Sequence, residues 1–410
     1  MSFLYIFHIK YDIIDFSYKS YYPNYYITSF NLPIFHKEGV STMFNLKRKA
    51  FKNFDFILFI TVILLCIFGM VMIKSATLTF ETNRFVKVQA LSTILGFLAI
   101  VFLVLFDYQI LGKFYIPIYI VSVLLLVAVV FFGTGAEQWG ANSWLSIGGF
   151  TFQPAEISKI GLIIFLAKFI EKNKAEINRP LTLLKIMVLA GIPILLIAKQ
   201  PDLGTAIVFV FFVVVMLFAA GLDWKYIGYA TLAGVLSLPV LWFSLENYQR
   251  DRIFNFLEPE RDPSGTGYQA LQARIAVGSG KVFGRGLFQG TQTQYNYLPE
   301  KQTDFIFAVV GEELGLIGGL ALILLYTILL FRLIKIAKNS KDTFGSLMIT
   351  GFAAMFLFHI WENIGMTIGL MPITGIPLPF LSYGGTFQLI NLICIGIALS
   401  VSVHKEGLNF

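Results

Sequence analysis

The chain has 410 residues, of which 57% are hydrophobic and only 13% are charged, and its mean hydropathy is +0.75. Soluble domains carry about 25% charged residues, so this composition indicates an integral membrane protein and excludes an ordinary soluble enzyme. The net charge of +7 is small for this length. In a membrane protein such a charge reflects basic cytoplasmic ends before it indicates nucleic-acid binding.

The first 42 residues differ from the rest of the chain, because they are rich in Tyr, Phe, Ile, Asn and Ser and show no sustained period. Met43 then opens a basic segment, MFNLKRKAFKNFDF, of the kind that precedes a first membrane span. The codons of residues 37–40 are compatible with a ribosome-binding sequence just before Met43. We therefore expect Met43 to be the true start and residues 1–42 to be an artefact of start-site assignment. A genuine N-terminal extension is the alternative.

Ten apolar segments are long enough to span a membrane, which takes about 20 residues each. The eighth is longer than one crossing needs, so we expect it to be tilted or broken near Gly311 or Gly315. The pattern predicts an all-α polytopic membrane protein with about ten transmembrane helices in a single domain, residues 43–410. The predicted spans are 55–74, 88–106, 114–133, 154–170, 182–198, 203–220, 226–245, 304–333, 345–368 and 385–404.

Lys and Arg are concentrated at one set of span ends, which the positive-inside rule places in the cytoplasm. Both termini are then cytoplasmic, and the segments 134–153 and 246–303 face outward. The segment 246–303 is far longer than a normal connector, and long loops in compact membrane domains are usually functional. The sequence therefore predicts one large extracytoplasmic loop.

Asp304 lies where this long loop enters an apolar span. A charge at that depth is costly, so a chain that keeps one there usually uses it or pairs it. The functional interpretation is a general base at the outer membrane edge. The alternative is that Thr303 or Asp304 caps the helix. A helix N-terminus stabilises the ionised carboxylate whereas apolar neighbours raise its pKa, and the sequence leaves that balance open.

Other polar residues lie near the predicted outer ends of spans. Glu156 and Lys159 are three residues apart and share a helix face, so they can form a structural ion pair, or Lys159 can meet a diphosphate. Interfacial anchoring explains Trp139 best, and Trp144 can also stack on a sugar ring. Asp202 most simply caps the span that follows it.

The outer loop 246–303 carries nearly balanced charges, which favours a solvated surface with internal ion pairs. Basic residues close to the bilayer, among them Arg274 and Arg285, would also suit a diphosphate. A Gly-rich run, GSGKVFGRGLFQGTQ, predicts a mobile hairpin or a re-entrant segment. Structural hydrogen bonding is the default interpretation of the polar residues inside later spans, which are Glu312, Glu313, His359, Glu362 and Asn363.

Several motifs between about residue 139 and the C-terminus resemble the SEDS family, which is named for shape, elongation, division and sporulation. Three of them, QPDLGTA, TDFIFAV and GLMPITGIPLPF, look like the elongation branch, while the division and sporulation branches stay open. The motifs are QPAEISK (153–159), QPDLGTA (200–206), DPSGTGYQALQ (262–272), GSG (278–280), GTQ (290–292), LPEKQTDFIFAVVGEELG (298–315) and NIGMTIGLMPITGIPLPFLSYGG (363–385).

The resemblance implies a peptidoglycan glycosyltransferase that polymerises lipid II into a nascent glycan strand on the outer face of the bacterial cytoplasmic membrane. Such enzymes work with a class B penicillin-binding protein and with other membrane proteins of the elongation machinery. Asp304 falls on the essential acidic position of the family. Trp144 matches a functional Trp of the first large outer loop, and Glu156 and Lys159 match a polar pair.

The implied reaction has Asp304 accept the proton of a sugar hydroxyl that displaces undecaprenyl diphosphate, with inversion to a β-1,4 bond. Lys159, Arg274 and Arg285 are the candidate cations for the leaving diphosphate. A divalent ion, Mg²⁺ or Mn²⁺, is a second option, and no other cofactor is expected. The rival functions are a lipid II flippase or transporter and a non-catalytic scaffold for cell-wall assembly.

Overall fold

The structure is a computed structural model that describes residues 53–80, 82–135, 142–148 and 150–405. The hypotheses about residues 1–42 and about Trp139 lie outside these ranges. Regular structure within the described ranges is almost entirely helical. In chain order the elements are α1 (Phe56–Ala76), α2 (Arg84–Leu105), α3 (Gln109–Lys113), α4 (Tyr115–Phe132), β1 (Leu145–Ile147), β2 (Phe150–Phe152), α5 (Pro154–Lys172), α6 (Pro180–Ala198), α7 (Leu203–Ala219), α8 (Trp224–Ser244), α9 (Asn247–Leu257), α10 (Thr266–Ser279), α11 (Thr291–Gln294), α12 (Ile306–Lys338), α13 (Thr343–Thr367) and α14 (Gly385–Val403).

Helices lie at all ten predicted spans, and their bounds agree with the prediction to within five residues. Among the described residues, seven helices are long and apolar enough to cross a membrane, namely α1, α2, α4, α6, α12, α13 and α14. Helices α5, α7 and α8 form the other three predicted spans. The protein is an all-α polytopic membrane protein, as its composition predicts.

Helices α13 and α14 form the centre of the bundle. The most apolar stretches of α13 and α14 are 78% and 83% buried, whereas those of α2 and α4 are only 22% buried and lie on the outside of the bundle. Helix α13 packs against α5, α7 and α12, and α14 packs mainly against α2. Polar groups on α13 therefore lie inside the protein, where an unpaired group would be costly.

The long loop 246–303 is not an extended connector, because it contains α9, α10 and α11 together with a single 3₁₀ turn at Pro259–Arg261. Two further 3₁₀ turns lie at Leu78–Phe80 and Lys174–Glu176. The two strands β1 and β2 form an antiparallel hairpin in which Leu145 pairs with Phe152.

Helix α12 is broken at Gly315, which has φ 65° and ψ −161°, so the predicted break is confirmed. The break leaves backbone groups without helical partners, and the Gly-rich segment 280–286 supplies them, as the apolar surroundings require. This segment therefore packs against the broken helix. Its bonds run from Arg285 N to Glu312 O (2.9 Å), from Gly286 N to Glu313 O (3.0 Å), from Leu316 N to Lys281 O (2.9 Å) and from Ile317 N to Val282 O (3.2 Å).

Candidate active site at the start of helix α12

Asp304 lies two residues before α12 and does not cap it. The N-cap is Phe305, which makes no side-chain capping bond, so the capping hypothesis for Thr303 and Asp304 is wrong. The Thr303 hydroxyl instead contacts Glu300, at 2.9 Å from its Oε2. The Asp304 carbonyl accepts a hydrogen bond of 2.7 Å from the side-chain amide of Asn363. The Asp304 carboxylate is thus left available for another purpose.

The loop between α13 and α14, residues 368–384, packs beside Asp304. The Asn363 amide that holds the Asp304 carbonyl also donates to Ile376 O at 2.8 Å, so one side chain fixes both segments. Gly375 has φ +77°, and a Cβ added there would lie 3.4 Å from Asp304 Oδ2. The backbone of Gly375 therefore passes directly over the carboxylate.

The pKa of Asp304 is raised to about 7, mainly by burial of the carboxylate. The negative charge of Glu300 raises the pKa further, the guanidinium of Arg252 lowers it, and Asp202 adds a smaller increase. Burial thus decides the balance that the sequence leaves open. A carboxylate with this pKa can accept a proton near neutral pH, where general bases are most effective.

Two arginines of the 246–303 loop, Arg252 on α9 and Arg274 on α10, line one pocket with Met366, Met371 and Ile373. Arg274 packs against Gly369, and its Nε is buried without a hydrogen-bond partner among the described residues. An unpartnered buried donor is uncommon and indicates a place for an acceptor.

Arg252 connects this pocket to the Asp304 site. Its Nη1 lies 3.4 Å from Thr374 O, one residue from Gly375, and its guanidinium lies over the Tyr248 ring. It is not among the site residues predicted from sequence. The available signal was the spacing of Tyr248 and Arg252, which places an aromatic ring and a cation on one helical face.

Arg285 lies elsewhere in the outer loop. Its side chain is exposed, and its Nε donates to Ser279 Oγ at 3.0 Å. Its backbone N–H donates to the Glu312 carbonyl at the break in α12. The structure therefore groups Arg274 with Arg252 and places Arg285 against the broken helix. The predicted contact between Arg285 and a diphosphate stays a prediction.

The predicted ion pair between Glu156 and Lys159 is present and buried. Lys159 Nζ lies 2.8 Å from Glu156 Oε1, and the two side chains are 1% and 4% exposed. Lys159 Nζ also lies 3.0 Å from His359 Nε2, and His359 Nδ1 lies 3.1 Å from Pro377 O. These bonds connect α5, α13 and the 368–384 loop. Lys159 is enclosed by protein, and its predicted contact with a diphosphate stays a prediction.

The carboxylates of Glu312 and Glu313 hold the outer loop on α12, which confirms structural hydrogen bonding as their role. Both side chains are buried. Their carboxylate oxygens accept hydrogen bonds from backbone N–H and hydroxyl groups of the 246–303 loop and of α1. Charge-assisted bonds of this kind are stronger than neutral ones. Glu312 accepts from Gln292 N (2.7 Å), Thr293 N (3.0 Å) and Thr293 Oγ1 (2.7 Å), and Glu313 accepts from Ser75 Oγ (2.5 Å) and Phe288 N (3.0 Å).

Trp144 lies between α4 and β1, and Asp202 lies directly before α7. Trp144 exchanges backbone hydrogen bonds with Thr134, at 2.8 and 3.2 Å, just before the β-hairpin.

Asp202 Oδ1 accepts from Thr205 N at 3.0 Å, which confirms it as the cap of α7. Its Oδ2 accepts from Gln153 Nε2 at 3.1 Å and so joins α7 to the residue before α5.

A protein metal site brings several His, Cys, Asp or Glu side chains together. No group of three or more His, Cys, Asp or Glu side chains among the described residues is placed to hold an ion. The Mg²⁺ or Mn²⁺ option stays a prediction.

Comparison with known proteins settles the family. The model of the cell cycle protein family of FtsW, RodA and SpoVE matches residues 55–407. The chain belongs to this family, the SEDS family. The resemblance of the sequence motifs is thereby confirmed over almost the whole described region.

Curated relatives include peptidoglycan glycosyltransferase MrdB of Escherichia coli K12, which is 42% identical over 71% of this chain and 78% of its own length. A probable peptidoglycan glycosyltransferase FtsW of Geobacter sulfurreducens is 35% identical over 88% of this chain and 98% of its own. The predicted enzyme class agrees with both names.

A solved structure also matches this SEDS protein. It belongs to work titled "Structural coordination of polymerization and crosslinking by a peptidoglycan synthase complex". The two chains are 31% identical with a TM-score of 0.75, and the match covers 86% of this chain and 99% of the other. The helical arrangement is thus shared with a member of a synthase complex.

Proposed function

We propose that this SEDS protein is a glycosyltransferase that polymerises lipid II into β-1,4-linked glycan strands, with Asp304 as the general base. The observation that carries the proposal is the carboxylate of Asp304, whose pKa is raised to about 7 beside a pocket that contains two arginines. Glycosyl transfer to a hydroxyl uses a base for the hydroxyl proton and a cation for the leaving group. The names of its relatives support the same enzyme class.

In the proposed reaction, Asp304 takes the proton of the 4-hydroxyl of the acceptor sugar. The hydroxyl oxygen attacks the anomeric carbon of the donor, and the bond from that carbon to undecaprenyl diphosphate breaks, so the anomeric configuration inverts. The diphosphate leaves with the bonding electron pair. In this proposal Arg252 and Arg274 would stabilise its charge, because one guanidinium can donate two parallel hydrogen bonds to phosphate oxygens.

The remaining predicted residues take supporting roles in this proposal. Trp144 would stack on a sugar ring, and Arg285 would meet the diphosphate from the loop side. Glu156 holds Lys159 in the buried cluster that reaches Pro377, so this pair supports the 368–384 loop beside the base.

The elongation branch, which serves rod shape, is the proposed cellular role. The motifs QPDLGTA, TDFIFAV and GLMPITGIPLPF favour it, and so does the 42% identity with MrdB, the RodA protein of Escherichia coli. A division or sporulation paralogue with the same chemistry is the alternative.

The proposed setting is the bacterial cytoplasmic membrane, with both termini in the cytoplasm and Asp304 at the outer face. The Lys and Arg distribution supports this orientation. The proposed partners are a class B penicillin-binding protein and other membrane proteins of elongation. The solved synthase complex, in which polymerisation is coordinated with crosslinking, supports such a partner.

In-vitro polymerisation of labelled lipid II tests the proposal. Wild type, Asp304→Asn and the control Asp251→Asn, which neutralises an exposed carboxylate on α9, are compared in the presence of the cognate penicillin-binding protein. We expect glycan ladders from wild type and the control and none from a folded Asp304→Asn protein. Equal ladders from all three would remove Asp304 as the base, and no product from any would favour transport or scaffolding.

A further inference from the structure

A basic cavity lies at the end of the helix bundle opposite Asp304. It has a volume of about 220 Å³, is open on one side, and is lined by the start of α1, the last turns of α12 and the end of α14. Helix α12 begins beside Asp304 and ends at this cavity, so the two sites belong to opposite membrane faces. The lining residues that matter here are Asn53, Arg332, Lys335, Asn339, Ser402 and Lys405.

The cavity carries two uncompensated positive charges. Arg332 is neutralised by Asp55, because its Nε lies 3.0 and 2.9 Å from the two carboxylate oxygens and its Nη2 lies 2.6 Å from Oδ2. Asp55 also caps α1 through Leu58 N at 2.9 Å, so its acceptors are fully engaged. Lys335 and Lys405 form no ion pair with any described carboxylate. An anion would therefore meet both of them.

The apolar surface next to the cavity is of the kind that faces lipid. Phe331 and Ile334 on α12 are 63% and 47% exposed. Lys335 follows one helical turn after Phe331 on the same exposed face, and Asn339 follows one turn later. An acyl chain lying along Phe331 and Ile334 would thus bring a headgroup to the Lys335 ammonium.

The sequence just before the described residue Asn53 is also basic. The residues immediately before Asn53 include Lys47, Arg48, Lys49 and Lys52. Clusters of basic residues beside a membrane helix attract anionic lipids, and basic pockets between helices bind their headgroups.

We propose that this cavity binds the phosphate group of an anionic phospholipid, with Lys335 and Lys405 as its cationic partners and the Asn339 amide as a further donor. Inorganic phosphate offers the same oxygen acceptors, but it would make no use of the exposed Phe331 and Ile334. The competing explanation is that both lysines only complement the negative C-terminal ends of α12 and α14.

Native mass spectrometry of the purified full chain tests the site, with phosphatidylglycerol and phosphatidylcholine titrated separately. The test variant is Lys335→Gln with Lys405→Gln. The matched control is Lys185→Gln with Lys338→Gln, which removes the same charge from two exposed lysines outside the cavity. Melting temperatures of all three proteins check that they are folded. A further arm titrates inorganic phosphate into the delipidated protein.

We expect phosphatidylglycerol to bind wild type and the control alike and the test variant about twenty-fivefold more weakly, at about fivefold for each lysine. Phosphatidylcholine should bind all three proteins weakly and equally. An equal loss in both double variants, or no preference for phosphatidylglycerol, would overturn the proposal. Binding of inorganic phosphate with the same lysine dependence and with the affinity of the lipid would overturn the lipid as the ligand.

Discussion

Gly375 covers the carboxylate of Asp304, and a methyl group at position 375 would lie 3.4 Å from Asp304 Oδ2. The two residues are 71 positions apart in the chain. They meet because the Asn363 amide donates both to the Asp304 carbonyl and to Ile376 O, next to Gly375. The geometry of the proposed base therefore depends on the 368–384 loop as much as on α12.

Gly375→Ala should lower polymerisation and stability together. Gly375 has φ +77°, where an L-residue costs about 1–2 kcal/mol, and the new methyl group would contact the carboxylate. We expect a melting temperature a few degrees lower and a clear loss of glycan product. The control is Gly278→Ala in α10, where an added Cβ meets nothing within 4 Å. A fully active and fully stable Gly375→Ala protein would contradict this role for the loop.

The rate of polymerisation should rise with pH through about 7 and then level off. The pKa of Asp304 is raised to about 7, and only the ionised carboxylate can accept the proton, so the active fraction grows as pH increases. The charge of Glu300 raises this pKa, so Glu300→Gln should move the midpoint of the pH–rate curve to lower pH. Arg252 lowers it, so Arg252→Gln should move the midpoint to higher pH. Rates measured from pH 5 to 9 check both directions, and midpoints that do not move in opposite senses would contradict the assignment.

Much of the fold is predictable from the sequence because each span needs its own run of about 20 apolar residues. Local chemistry also predicts the break in α12, since only glycine readily adopts the backbone of Gly315, and the cap of α7 by Asp202. The helices inside the 246–303 loop were missed. Their apolar faces are short and are completed by contacts with distant elements, such as those between α10 and α12.

The site is predictable only in part, because its decisive contacts join residues far apart in the chain. Asp304 stands out by its position at the start of a span, and Glu156 and Lys159 stand out by their spacing. Nothing local brings Arg252 to Thr374, or His359 to Lys159 from 200 residues away. Sequence periodicity constrains a helical face but does not say which other helix meets it.

Glu312→Gln should release the outer loop from α12. The buried carboxylate accepts from Gln292 N, Thr293 N and Thr293 Oγ1, and an amide in its place offers one acceptor and an opposing donor. We expect a loss of about 3 kcal/mol of stability, together with faster proteolysis of the 280–296 segment. Glu258→Gln, at an exposed position, is the control and should change stability by less than about 0.5 kcal/mol. Unchanged protection of the segment in Glu312→Gln would show that the loop is held by other contacts.

Glu156 and Lys159 should be interdependent. Removing one partner of a buried ion pair leaves an uncompensated charge and costs about 3–5 kcal/mol, whereas replacing both can be nearly neutral. We therefore expect Glu156→Gln and Lys159→Met to lower the melting temperature strongly as single variants. The double variant should recover most of the loss.

Lipid II polymerisation by that double variant then shows whether the pair is needed only for stability or also for activity. If the pair acts only by neutralising its two buried charges, activity should return together with stability. If it acts by holding His359, the double variant should be stable but less active, because it has no ammonium to bond His359 Nε2. A stable double variant that makes no glycan, while Lys159→Arg with Glu156 intact retains product, would mean that polymerisation needs a cation at position 159. Additive losses in stability would contradict the coupling, because only groups that interact deviate from additivity.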